Sequence, residues 1–209
     1  CNVDRLDSVA LNYFGKKVTY RHMQEKIDAC ARALTAYGVR AGDAVSLCVL
    51  AMPEAVYLLY AINKIGAIAN MLVMNATEAE IHEKLAVTES KVVITVDLAL
   101  EKIVQASKET SIKHIIGVSL AESMPCVIGT LYKWKSKIKQ ENCILFSEFL
   151  KAGQGKKIDC QEIKGDAPAV IAYTGGTTGK AKGVLLSNRA ANTIAFQYKY
   201  ADKVLDFQN

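Results

Sequence analysis

The sequence predicts an α/β fold: a mostly parallel sheet with helices on both faces. Three observations carry that expectation. Between residues 19 and 118, short apolar runs alternate with segments whose apolar residues recur at helical spacing. Capping and breaking residues stand at most of the boundaries between them. The composition is 51% hydrophobic and 22% charged, with only 3 prolines in 209 residues, which supplies a core and argues against long disorder. Strand, helix, strand at this pace implies right-handed crossovers and parallel neighbours.

Each element follows from its residues. From Thr19 to Tyr37 the apolar residues Met23, Ile27, Ala31 and Leu34 define a helical face, with Thr19 as N-cap and Gly38 as stop. Gly42-Asp43 is a turn, and AVSLCVL, Ala44 to Leu50, a buried strand. Pro53 suits the first turn of a helix to about Ile65, which Gly66 ends before the short strand AIANMLV. Thr77 caps a helix through about Thr88, and Lys91 to Val96 is a strand. Leu98 to Glu109 is helical, and His114 to Val118 is a strand.

The rhythm breaks between Ser119 and Gly165. Lysines at 133, 135, 137 and 139 mark a solvated face, FSEFLKA is a short helical segment, and Gly153 and Gly155 close an irregular connection. Order returns with the strand AVIAY, Ala169 to Tyr173, then a Gly/Thr-rich loop, the strand GVLLS, and a helix from about Asn188 with Ser187 as N-cap. Residues 1–165 thus read as an α/β unit with an irregular insertion near 119–165, and 166–209 as the segment carrying the loop.

Several function classes are disfavoured at this stage. A net charge of +5 suits anionic ligands, but no basic, aromatic-studded stripe points to nucleic acid. None of the 6 cysteines forms a C-x-x-C pair, which favours scattered reduced thiols over a disulfide framework or zinc site. His22, His82 and His114 lie far apart, so surface positions are expected rather than metal ligation. No apolar run reaches the ~20 residues of a membrane span. A soluble, cytoplasmic protein is the expectation. The first residue, Cys1, suggests an excised or processed piece.

The chemistry is concentrated in YTGGTTGKAKG, Tyr173 to Gly183. Its four glycines allow backbone N–H groups to approach a ligand without Cβ obstruction, and consecutive amides there can form an anion nest. Thr174, Thr177 and Thr178 add hydroxyls, and Lys180 and Lys182 add positive charge. A polyphosphate suits that set better than a neutral ligand. The Walker pattern fails, because only three residues separate Gly175 from Gly179 and Ala181 follows Lys180. The dinucleotide pattern G-x-G-x-x-G is missing too.

The segment resembles the signature of the AMP-binding, or acyl-adenylate-forming, superfamily, YTSGTTGxPKG followed by V-x-L-S-H-R. Gly175 stands for the usual serine, Ala181 for proline and Asn188 for histidine. The resemblance extends upstream to Thr19-Tyr20, to GVRAGDAV from Gly38 to Val45, and to Lys64-Ile65-Gly66-Ala67 with Asn75.

The resemblance implies the N-terminal part of an ATP-dependent carboxylate ligase. Such an enzyme joins an acid to ATP's α-phosphate and passes the acyl group to a thiol, coenzyme A or a carrier pantetheine. By correspondence Thr174, Gly175, Gly176, Thr177, Thr178, Gly179 and Lys182 would cradle the leaving phosphates, with Mg2+ accompanying ATP; Lys180 sits at the family's variable position. The family's later blocks for adenine, magnesium and ribose, and its C-terminal lysine domain, do not occur in these residues. Alone, they are therefore not expected to catalyse adenylation. SMPCVIGTLYKWK, Ser123 to Lys135, looks like an insertion of some bacterial fatty acyl-CoA synthetases, tilting the expected substrate toward a medium- or long-chain acid. An aryl or amino acid of a carrier-protein system, a non-catalytic nucleotide-binding relative and a ligand-free Gly/Thr turn are the competing readings.

Overall fold

The computed structural model describes residues 3–122, 124, 143–158, 163–174 and 181–205. A seven-stranded sheet runs through it, beside a separate two-stranded hairpin. The hairpin, β1 (Val9–Tyr13) and β2 (Lys16–Thr19), is antiparallel. Its reversal uses Phe14 at φ 49° and Gly15 at φ 82°, two positive-φ residues of the kind a tight hairpin turn requires.

Thr19 then starts α1 (Tyr20–Ala36), its hydroxyl accepting from the His22 amide at 3.3 Å. The sheet proper begins with β3 (Ala44–Cys48), followed by α2 (Pro53–Lys64), β4 (Ile68–Met71), α3 (Glu78–Thr88) and β5 (Val92–Val96). Thr77 and Glu80 form a capping box at the start of α3. The helix expected over Leu98 to Glu109 is shorter than the sequence suggested. A 3-10 turn, Asp97–Ala99, leads into α4 (Leu100–Ala106), and the Ser107 and Thr110 hydroxyls bond back to Ile103 and Ser107 carbonyls, ending it early.

Then come β6 (His114–Val118), the two-residue β7 (Ile144–Leu145), α5 (Phe146–Ala152), β8 (Pro168–Tyr173), β9 (Gly183–Ser187) and α6 (Asn188–Leu205). The sheet order is β7-β6-β5-β3-β4-β8-β9, with every pair from β7 to β8 parallel and β9 antiparallel to β8. The parallel expectation is met. The hairpin and β7 are additions that the sequence reading did not include.

Helices α1, α2 and α5 pack in one group, α3 and α4 in another. Between them the inner strand β5 is buried at all five positions, as a strand covered on both faces must be. Tyr37, Phe146 and Phe149 seal one end of the core, with ring centroids 5.5 and 5.8 Å from Phe149. Cys30, Cys48 and Cys143 are free thiols. His22 is exposed, as expected, but His82 and His114 are half-buried: His82 Nδ1 lies 3.0 Å from the Ala106 carbonyl, and His114 meets Tyr37 edge-on. They tie elements together. No described helix is long and apolar enough to cross a membrane.

Candidate functional site

The upstream sequence blocks prove architectural. Gly42 and Gly66 both take positive φ, 85° and 73°, where a side chain would be strained. The Gly42 amide donates to the Gly66 carbonyl at 2.9 Å, and the Ile68 amide to the Asp43 carbonyl at 2.9 Å. Asp43 also accepts from the Arg40 amide at 2.9 Å. The two blocks therefore lock each other and set the amino ends of β3 and β4. The Gly/Thr-rich loop leaves the carboxyl end of β8, the edge at which open parallel sheets bind ligands.

Strands β8 and β9 form the stem of that loop. Val170 pairs with Leu186, Ile171 with Leu185, Ala172 with Val184, and Tyr173 with Gly183. Above the last pair, the Thr174 amide donates to the Lys182 carbonyl at 3.1 Å. Of the candidate cradle, Thr174 and Lys182 are thus brought together at the mouth of the loop, both exposed. Gly175, Gly176, Thr177, Thr178 and Gly179, and with them Lys180, lie outside the described residues. Serine 187 behaves as expected, its Oγ accepting from the Ala190 amide at 3.2 Å. Asn188 and Arg189 donate their amides to the carbonyls of Ala167 and Gly165, so the helix start is tied back to the approach to β8.

Beneath the stem lies a polar cluster that sequence reasoning missed. The Tyr173 hydroxyl donates to Asn70 Oδ1 at 2.9 Å. Asn70 Nδ2 donates to Ser46 Oγ at 2.8 Å and Thr88 Oγ1 at 3.2 Å. Ser46 and Ser90 are joined at 2.8 Å. Asn70, Ser46 and Ser90 are fully buried. Burial pushes the Tyr173 hydroxyl above its ordinary range, with the Asn70 bond opposing. It therefore remains a neutral donor at physiological pH. The one available signal was an asparagine inside the apolar run AIANMLV, because a buried amide must find partners.

Alongside, a groove of about 510 Å³ runs between α3 and the sheet, with Ile68, Val87, Ile171 and Leu185 on its walls and Lys84 at Tyr173. Lys84 Nζ lies 4.5 Å from the Tyr173 ring centroid. From Tyr173 to Asn188 the chain contains two lysines, four threonine or serine hydroxyls and no carboxylate. Such a donor set fits a polyanion. Among the described residues no cluster of acidic, His or Cys side chains is arranged to hold a metal.

Comparison with known proteins gives a consistent result. The family model for the AMP-binding enzyme matches residues 2–208. The long-chain-fatty-acid–CoA ligase of Bacillus subtilis (strain 168) is 29% identical over 215 residues, covering 95% of this chain and 38% of its own length. An acetyl-coenzyme A synthetase of Magnetococcus marinus is 27% identical over 192 residues, covering 87% of this chain and 29% of its own. A crystal structure of the anthranilate CoA ligase AuaEII in complex with anthranoyl-AMP superposes with a TM-score of 0.73 at 22% identity, over 90% of this chain and 33% of that one. The chain spans about a third of the length of the relatives it matches. With the family model spanning nearly every residue and the sheet and loop stem in place, the chain belongs to the AMP-binding enzyme family.

Proposed function

We propose that this chain supplies the phosphate-gripping part of an ATP-dependent acid–thiol ligase. A carboxylate oxygen attacks the α-phosphorus of ATP, the bond to the β-phosphate breaks, and pyrophosphate leaves. A thiol, coenzyme A or a carrier pantetheine, then attacks the acyl carbon of the adenylate, AMP departs with the bonding electrons, and the thiol proton passes to solvent. The observation that carries this reading is the carboxylate-free, lysine- and threonine-bearing loop at the carboxyl end of β8 in a member of this family.

The chain's own residues bind and orient. Thr174 and Lys182 flank the cradle, and by correspondence with the family motif Gly175, Gly176, Thr177, Thr178 and Gly179 supply its amides and hydroxyls. Positioned donors and positive charge stabilise the leaving pyrophosphate without rearrangement at the moment of reaction. Mg2+ bound to the triphosphate would neutralise part of its charge. We assign no residue of this chain to the metal.

A fatty acid is the favoured acid, from the resemblance of Ser123 to Lys135 and from the Bacillus relative. The second reading, an aryl-acid ligase, draws on the anthranilate ligase neighbour. Acid-dependent ATP–pyrophosphate exchange on the full-length protein, with fatty, acetic, aryl and amino acids, tests both. Exchange with one acid class is expected, long-chain acids first. Exchange with aryl acids alone would favour the second reading, and a folded protein with no exchange would contradict the ligase.

A further inference from the structure

We propose that Asn70 is a positioning residue for the phosphate loop, acting through Tyr173; this rests on reading the loop as a polyphosphate site. Asn70 lies on the inner strand β4 with no exposure, where an apolar residue would serve packing better. Instead its amide is fully engaged. Nδ2 donates to Ser46 and Thr88, and both hydroxyls lie within hydrogen-bonding distance of Ser90, at 2.8 and 2.9 Å. The Thr88 hydroxyl lies 2.8 Å from the Lys84 carbonyl, fixing it to its own helix. This cluster, built from β3, β4 and the carboxyl end of α3, aims one acceptor, Asn70 Oδ1, at one distant group: the Tyr173 hydroxyl.

Tyr173 is where that acceptor matters. It is the last residue of β8 before the loop, and its cross-strand partner Gly183 is the first residue of β9 after it. A Cβ on Gly183 would sit 3.2 Å from Tyr173 Cε1 and 3.2 Å from Ile171 Cγ2, so the ring lies against the bare glycine backbone. Lys84 Nζ approaches the same ring. The hydroxyl is thus held by Asn70, the ring edge by Gly183, and the ring by a cation. With the ring fixed, the Tyr173–Gly183 pair is fixed. The Thr174–Lys182 bond directly above then sets both flanks of the cradle. Displacements of about 1 Å at such positioning groups cost on the order of 10²-fold in rate.

The test uses the full-length protein as wild type, Asn70→Ala, Tyr173→Phe and the double variant, with ATP–pyrophosphate exchange and thermal unfolding measured together. Asn70→Ala is expected to raise KM for ATP about 10-fold, the scale of one orphaned buried hydrogen-bonding group. In the Tyr173→Phe background the same change is expected to add less than about 2-fold, because a residue that works through Tyr173 has nothing left to position. Tyr173→Phe removes a single oxygen atom and keeps the test open if Asn70→Ala fails to fold. A merely structural role would lower the active fraction, and so kcat, with KM for ATP unchanged. That result overturns the proposal, as do two effects that multiply independently.

Trypsin cleavage after Lys180 and Lys182, relative to cleavage elsewhere in the chain, reads the same positioning without turnover. It is expected to accelerate in both single variants; equal relative rates in wild type and variants would overturn the anchor. Accelerated cleavage in a protein showing no exchange would sink the ligase reading while supporting the anchor.

Discussion

Strands β5 and β9 belong to one sheet and differ in almost every respect. β5 is buried at five of five positions, β9 at none, with Val184 41% and Leu185 56% exposed. β5 sits between two parallel neighbours under helices on both faces, while β9 is the antiparallel edge strand that closes a loop. The centre of the sheet is where apolar burial makes the fold stable. At the edge the mouth of the proposed phosphate loop, Thr174 and Lys182, is exposed. Substitutions in the two regions should therefore separate: stability effects at the centre, binding effects at the stem.

The largest stability effect is expected in the aromatic cap of the core. Phe149 is fully buried and stacks with Phe146, so Phe149→Ala should cost about 3–5 kcal/mol in denaturant unfolding. Next comes Gly153→Ala. Its Cβ would lie 2.5 Å from the Ala33 backbone nitrogen and 2.8 Å from Arg32 and Ala33 backbone carbons, so α5 must move off α1. A loss of about 1–3 kcal/mol in the same assay would fit that overpacking.

Alkaline pH should weaken the same core. Burial pushes the Cys30 thiol from its ordinary 9.0 up to about 12. The unfolded chain ionises first, so stability is intact below pH 9 and falls as pH rises toward 12. By pH 10 the loss from this group is on the order of 1 kcal/mol. Tyr57, raised from 10.0 to about 12 by the same burial, adds to it above pH 10. Comparing unfolding at pH 8 and 10, Cys30→Ala should show a smaller drop than wild type.

The smallest effect belongs to the α3 cap. Thr77→Ala should cost about 1 kcal/mol, since its hydroxyl and the Glu80 carboxylate satisfy amides of the first turn reciprocally. The bond from the Thr77 amide holds the Glu80 carboxyl below its ordinary value. Its contribution is therefore present at neutral pH and is lost as pH falls through that lowered value. Acid titration of Glu80→Gln beside wild type checks the direction.

What was legible in the sequence follows the same division. Elements with strong local signals came through nearly to the residue: α1 behind Thr19, α2 at Pro53, α3 with its cap at Thr77, and β6 over His114–Val118. The parallel sheet followed from their alternation. The hairpin escaped because its turn, Phe14-Gly15, lacks the usual Asn-Gly or Asp-Gly signal, and β7 because two residues carry no period. For the site, the motif singles out the loop as the candidate but carries no sign of the polar cluster beneath its stem. Asn70 and Tyr173 are joined only by the pairing of β4 with β8, and no local pattern in the sequence reports a register between strands a hundred residues apart. The upstream blocks, matched as family signature, turned out to fix strand ends. Nothing in the structure explains why Asn188 stands where the family has histidine.

The phosphate-gripping role is tested best by Lys182→Ala in the full-length protein, with ATP–pyrophosphate exchange and thermal unfolding measured on the same preparation. Lys182 is exposed, and its carbonyl rather than its side chain closes the stem. Exchange is expected to fall about 10²-fold, the scale of one lost charge-stabilising group, with Tm within about 1 °C of wild type. Full exchange with a lowered Tm would contradict it, placing Lys182 in the scaffold and the phosphate grip elsewhere.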